Sequence, residues 1–225
     1  MNYDLIFVPQ GPEYRAVSNG LARSINPKTV AVIPLPMGIK PVTAYLQNHK
    51  FTGKRVVLIG LGGSLSPQYQ IGDVVIVESC IYLQQNSELI TKYCDLELVN
   101  YLSQQLGAKK AQGLTSDRLI YSAQEKQQLG QKYDVSVVDM EGIAILNQFA
   151  LVTIIRVISD DCYHDLPNLS HAIDREGKLD NLKMAIAFIR QPLAALRLIK
   201  GSLKALKILK KTAMNMAKIK SLYNA

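Results

Sequence analysis

The stretch SVVDMEGIAI (residues 136–145) passes from a short apolar run through three polar or sulfur-bearing positions, Asp139, Met140 and Glu141, into a second apolar pattern with helical spacing. Nearby, IIRVISDD (residues 154–161) is a continuous apolar run broken only by Arg156 and closed by Ser159, Asp160 and Asp161. Near-continuous Val and Ile runs read as strands covered on both faces, which belong to parallel or mixed sheets flanked by helices. Both stretches therefore deliver acids to the carboxyl edge of a sheet, where open α/β folds bind ligands.

Outward from this pair, comparable runs occur at YDLIFVP (3–9), TVAVIPLP (29–36), RVVLIGLG (55–62) and DVVIVESCIYL (73–83). Helical periodicity predicts helices over 13–24, 42–48, 95–106, 123–132 and 141–150. Alternating strand and helix signals predict one α/β domain over residues 1–190, a three-layer sandwich with a central mixed sheet between helices. A length of 225 residues, 48% hydrophobic, suits a single core followed by a tail.

The formal charge of +8 is unevenly placed. Nine Lys or Arg and no Asp or Glu lie between Arg190 and Ala225, whereas the preceding residues hold seventeen basic and eighteen acidic side chains. Basicity thus belongs to the tail, residues 191–225. There Leu193, Leu196, Ile199, Leu203, Leu206 and Leu209 recur at helical spacing, and Lys200, Lys204, Lys207 and Lys211 do so on another face. Two readings stay open for this basic amphipathic helix: packing on the body or a second subunit, and peripheral contact with an anionic membrane face. Nucleic acid is the poorest partner, because Tyr223 alone offers a ring for stacking.

Cys80, Cys94 and Cys162 are odd in number and lack CxxC spacing, which fits a reducing cytoplasm better than a disulfide framework. His49, His164 and His171 have no metal-ligand spacing, so no metal or other cofactor is implied. The N-terminus shows no secretion signal and no run of about eighteen apolar residues occurs.

Two loops carry further signals. Gly11 and Pro12 punctuate the first strand-to-helix turn and place Glu13 in the first helical turn, where the helix dipole favours a carboxylate. GLGGSLSPQYQIGDVVI (60–76) clusters Gly60, Gly62 and Gly63 after a strand, allowing close backbone approach to a small ligand, but Ser64 to Pro67 do not open the helix that a dinucleotide fingerprint requires.

With PQGPEYRAV (9–17), LGGSLSPQYQIGDVVI (61–76), VVDMEG (137–142) and RVISDD (156–161) in this order, residues 3–189 resemble the nucleoside phosphorylase superfamily, and most closely its 5′-methylthioadenosine/S-adenosylhomocysteine nucleosidase branch. The resemblance implies that Asp160 is the catalytic acid at the purine, with Asp161 its competitor in the register. It implies that Met140 and Glu141 bind ribose, and that Glu13 and Arg156 are catalytic on the attacking side, with Glu13 positioning the water. Gly62, Gly63 and Ser64 would line the sugar side, with Leu119, Ile120 and Ser159 completing the pocket and MGIKPV (37–42) forming a core turn. The resemblance further implies a purine nucleoside as substrate and a homodimer. Two positions depart from the branch: Leu61 replaces a serine, and Leu119 replaces a stacking aromatic.

The residues suit cleavage of a ribosyl–base bond, in which an acid protonates the leaving base and a carboxylate stabilises an oxocarbenium-like sugar. Without the resemblance, Glu141 reads equally as a helix-start residue and Arg156 as half of a structural ion pair. A carboxylate at Glu13 would repel phosphate and so favours water, whereas Arg118 keeps open a phosphorylase using phosphate as co-substrate, including one acting on a lipid-linked nucleoside of the hopanoid type. A non-catalytic nucleoside-binding or membrane-associated protein is the third alternative.

Overall fold

The computed structural model describes residues 3–22, 30–83, 88–169, 172 and 180–223. Among these residues the chain forms one mixed α/β unit, an eight-stranded sheet flanked by seven helices. The strands are β1 (Leu5–Pro9), β2 (Ala31–Leu35), β3 (Arg55–Ser64), β4 (Val74–Leu83), β5 (Leu89–Tyr93), β6 (Lys109–Thr115), β7 (Val137–Asp139) and β8 (Leu151–Asp160). The helices are α1 (Pro12–Leu21), α2 (Ile39–Asn48), α3 (Leu96–Leu106), α4 (Ala123–Tyr133), α5 (Gly142–Gln148), α6 (Asn181–Arg190) and α7 (Pro192–Tyr223).

The six apolar runs of the sequence are β1, β2, β3, β4, β7 and β8. The sequence reading missed β5 and β6 because neither is a buried apolar run: β5 is an exposed edge strand, LITKY, and β6 begins Lys109-Lys110. The predicted extension of the first helix to Ser24 lies outside the described residues.

The strand order β2-β1-β3-β7-β6-β4-β5 is supplemented by β8, which pairs parallel with β3 and antiparallel with β4. The sheet consequently closes on itself through β3, β8, β4, β6 and β7, while β1–β2 and β5 project from the closed part. β3 makes this possible by its length of ten residues: its first half pairs with β1, and its end, Gly63 and Ser64, pairs with β7. Side chains inside and outside this closed sheet build the core, with Phe7, Leu58, Ile59, Ile76, Leu98, Leu102, Ile154 and Ile155 all inaccessible to solvent.

Local chemistry fixes the helix starts. Gly11 adopts φ 87°, which only glycine takes readily, and Pro12 then occupies the first helical turn of α1. Asp95 caps α3 by accepting from Leu98 N at 3.3 Å, and Ser122 caps α4 by accepting from Glu125 N at 3.4 Å.

α7 packs on α1 and on β8. Its buried face is built of small residues and methionine, Ala205, Ala213, Met216 and Ala217, together with Leu209 and Thr212. Of the leucine stripe seen in the sequence, only Leu209 is buried, whereas Leu193, Leu196, Ile199 and Leu203 are exposed. Close helix approach explains the difference. A Cβ on Gly20 of α1 would lie 2.5 Å from Lys210 O and 2.8 Å from Ala213 Cβ, so bulkier residues would hold the helices apart. Near its start α7 also presses on β8, since a Cβ on Gly201 would lie 2.2 Å from Ser159 O.

Candidate active site

Three acids from three elements meet at one cavity on the carboxyl edge of the sheet: Glu13 from the first turn of α1, Glu141 from the β7–α5 junction and Asp160 from the end of β8. Gly62 and Gly63 form part of the wall, joined by Met37, Leu61, Met140, Ser159 and the segment Arg118–Ile120. Two residues expected to line the site do not. Ser64 is fully buried and donates to Ser66 O at 2.7 Å within its own turn, and Arg156 is fully buried beneath the cavity.

Arg156 is held by ion pairs. Its Nε donates to Asp139 Oδ2 at 3.0 Å, and its Nη2 reaches both Asp139 and Glu141 Oε2, the latter at 3.3 Å. A guanidinium inside an apolar strand requires such partners, because desolvation of an unpaired charge is prohibitive. The ion pair expected of a buried arginine is formed, and it ties Arg156 to the cavity-lining Glu141. Its Nη1 has no protein hydrogen-bond partner, and both this atom and Glu13 Oε2 approach Gly60, where a Cβ would lie 2.7 Å and 2.5 Å from them. Asp139, which the sequence reading passed over, is the hub: it also accepts from Thr115 Oγ1 at 2.7 Å and from Gly142 N at 3.2 Å.

Glu141 is buried at the start of α5, with Oε1 accepting from Gly38 N at 3.2 Å and Oε2 facing Arg156. Burial pushes its carboxyl above the usual range, opposed by the charge of Arg156. Glu13 accepts from Leu61 N at 2.6 Å, and burial raises its pKa to about 8, with the neighbouring Glu141 adding to the rise. Burial thus favours its protonated form, opposed by the Leu61 N–H and the charge of Arg156. Burial therefore weakens, without removing, the charge from which repulsion of phosphate by Glu13 is expected.

The end of β8 carries a register shift against β3: Gly62 faces Ile158 and Gly63 faces Asp160, leaving Ser159 as the extra residue. Such a bulge turns the strand end and re-aims its side chains. Asp160 thereby lies over Gly63, where a Cβ would come within 2.8 Å of Oδ2. The glycines of β3 make room for the chain's own acids, Glu13 over Gly60 and Asp160 over Gly63. Ser159 Oγ donates to Asp160 Oδ1 at 2.7 Å. Lys126 on α4 binds Asp160 Oδ2 and also donates to Asp161 O at 2.9 Å.

Lys126 is fully buried, and it is the one buried residue of α4. Sequence reasoning could not find it, since a lysine in the polar segment AQEKQQLGQKY reads as solvent-facing. Asp161 turns the other way. Its Oδ1 accepts from Tyr163 N at 2.9 Å and His164 N at 3.0 Å, and although burial opposes it, these bonds and the His164 ring hold its carboxyl below the usual range. His164 is tied up in the same turn, away from the candidate cavity.

Residues 24–190, about three quarters of the chain, match the phosphorylase superfamily. The chain belongs to the phosphorylase superfamily. That assignment places it among enzymes acting on N-glycosidic bonds. No curated protein matches the superfamily member described here by sequence.

Solved structures similar to this superfamily member include the 5′-methylthioadenosine/S-adenosylhomocysteine nucleosidase of Helicobacter pylori bound to butyl-thio-DADMe-Immucillin-A, with a TM-score of 0.64 at 16% identity over 98% of this chain and 97% of that one. The corresponding nucleosidase of Campylobacter jejuni gives 0.60 at 16% identity, covering 93% and 100%. The futalosine hydrolase of Helicobacter pylori gives 0.61 at 16% identity, covering 92% and 95%. At such identities the likeness establishes the fold.

Proposed function

We propose that the protein hydrolyses the bond between ribose and base in a purine nucleoside. The observation that carries this reading is the convergence of Glu13, Glu141 and Asp160 on one cavity, in three different electrostatic settings. Each setting suits a different task.

Asp160 shares the cavity with Leu119 and Ile120, apolar side chains suited to the flat face of a base. There it receives the hydrogen-bonding edge of the purine and supports protonation of the leaving group, a step that contributes about 10²- to 10⁴-fold. Ser159 and Lys126 fix the orientation of its carboxylate. Lys126 is a positioning residue in this scheme, since it reaches the site only through Asp160 and the carbonyl of Asp161.

Glu141 and Met140 take the sugar. With Gly38 N–H and Arg156 already on its two oxygens, Glu141 is locked in place, and its remaining lone pairs accept from ribose hydroxyls. A fixed acid at this point stabilises positive charge growing on the sugar without reorganisation. Arg156 secures Glu141 and Asp139 from below and is likewise a positioning residue.

In its ionised form Glu13 takes the proton of the attacking water. A group with a pKa of about 8 is closer to the ideal for proton transfer near neutrality than an ordinary carboxyl. Hydrolysis is supported by the engagement of the cation that lines the cavity, Arg118, which is bound to Glu125. One observation favours phosphorolysis as a second reading, namely that a protonated Glu13 does not repel phosphate.

The deciding experiment follows free base released from methylthioadenosine, S-adenosylhomocysteine, inosine and adenosine, with and without phosphate. Hydrolysis gives equal release in both. Release only with phosphate transfers the assignment to a phosphorylase, and no release from any nucleoside ends the proposal.

A further inference from the structure

α6 has the sequence NLKMAIAFIR, seven of whose ten residues are apolar, yet none of its residues is buried. Leu182 is 72% exposed and Ile189 79%. The apolar surface continues onto the first half of α7, where Leu193 is 70% exposed and Leu196, Ile199 and Leu203 are also exposed. A helical projection of α7 puts Leu196, Ile199 and Leu203 beside a stripe of Lys200, Lys204 and Lys207, opposite the face that Ala205, Leu209 and Ala213 bury. Isolated exposed leucines are ordinary, but a row of them bordered by cations marks an interaction surface.

We infer that α6 and the first half of α7 form a docking surface for an anionic phospholipid bilayer. Charge selects this occupant. From Asn181 to Ala225 the chain has ten Lys or Arg and no acid. The acids across from the start of α7 are engaged within the body: Asp161 with the N–H groups of Tyr163 and His164, Asp165 with Ala123 N at 2.7 Å. Among the described residues, Arg197, Lys200, Lys204 and Lys207 form no ion pair with them, although Arg197, Lys200 and Lys204 share a groove with Asp161 and Asp165. Two copies meeting through this face would oppose like charges. Nucleic acid would leave the leucine row without a partner.

A bilayer surface answers both halves of the pattern, accepting apolar side chains among the acyl chains and cations among the headgroups. Interfacial binding also fits the geometry, because among the described residues no helix is long and apolar enough to cross a membrane.

The test is sedimentation of the full chain with vesicles of phosphatidylglycerol and phosphatidylcholine, against vesicles of phosphatidylcholine alone. Binding is expected to the anionic vesicles only and to weaken with salt. The paired variant Ile189→Glu/Leu193→Glu should lower the bound fraction roughly tenfold, and Lys200→Glu/Lys204→Glu should remove most of the salt-sensitive part. Unchanged thermal midpoints show that both variants are folded, as expected for changes at exposed positions. Failure of the wild-type chain to sediment, or equal sedimentation of the Ile189→Glu/Leu193→Glu protein, overturns the inference. A dimer that dissociates in that variant, with no vesicle binding by either protein, assigns the surface to a second copy instead.

Discussion

Two buried cations organise the site in opposite ways. Arg156 is enclosed by two acids that line the cavity from its floor, and its planar fork serves Asp139 and Glu141 at once. Lys126 is a point charge at the end of a flexible stem, and its partner Asp160 keeps a partly exposed side chain, 13% accessible, at the cavity. Both cations are fully buried. The difference lies in how their carboxylates are held: Asp139 spends its oxygens on Arg156, Thr115 and Gly142 N, whereas Asp160 is held by Lys126 and Ser159 with more of its side chain left open at the cavity. Burial of a charge therefore says little about its role until the far side of its partner is known.

Substitutions that treat the two pairs alike in chemistry should separate them in outcome. Asp160→Asn removes the group proposed to act on the base and should lower kcat/KM by about 10³- to 10⁴-fold; because it also leaves the fully buried Lys126 without its acid, the urea midpoint should fall as well. Arg156→Met, in contrast, leaves Asp139 and Glu141 buried without their cation and should cost about 3–5 kcal/mol in equilibrium unfolding. A kinetic defect without that loss of stability would show that Arg156 acts on the reaction more directly than its burial allows.

Glu13→Gln retains the shape of a side chain outside both pairs and should reduce turnover by about 10²- to 10³-fold. It also carries a pH signature. In the wild-type protein kcat/KM should rise with pH through about 8, as Glu13 ionises and accepts a proton, and this limb should vanish in the variant. Stability moves the opposite way. The folded state holds the Glu13 proton to about 8 whereas the unfolded chain releases it near 4.5, so the folded state binds more protons across this interval and stability falls as pH rises through it. Thermal melts from pH 5 to 8 should show a shallower decline for Glu13→Gln.

Lys126→Met should reduce kcat by about 10- to 100-fold with a smaller effect on KM, because it frees the carboxylate of Asp160 without removing it. Lys126→Gln, which keeps a donor but not the charge, should recover part of the loss. A change in KM alone would reduce Lys126 to a binding contact. Asp161→Asn is the smallest case, less than about threefold in kcat/KM, since Asp161 serves its own turn. Equal losses in the Asp160 and Asp161 variants would reverse the proposed assignment.

The legibility of these features in the sequence follows from how each element is stabilised. Strands buried on both faces must be apolar throughout, so β1, β3, β4 and β8 announce themselves, and the acids that end them mark the sheet edge. Edge strand β5 is under no such requirement. Arg156 was visible as a charge where apolar residues were required, but its partner Asp139 was not separable from other strand-end acids until the side chains were placed. Lys126 left no trace, because a single inward lysine on a polar helix has the same local pattern as an outward one. Ser64 was drawn into the site by proximity to Gly62 and Gly63, yet the chain turns between them and Ser66. For α7, leucine periodicity identified the helix but not its docked face, since close packing on Gly20 selects small residues such as Ala213.

The glycines of β3 give that strand the character of a ruler. Gly60 accommodates Glu13 and Gly63 accommodates Asp160, three residues apart on one extended segment. At about 3.3 Å per residue, the two glycines that leave room for these acids lie some 10 Å apart along the strand. Filling either mark with a side chain would displace the acid seated against it, since a Cβ would come within 2.5 Å of Glu13 Oε2 at Gly60 and within 2.8 Å of Asp160 Oδ2 at Gly63.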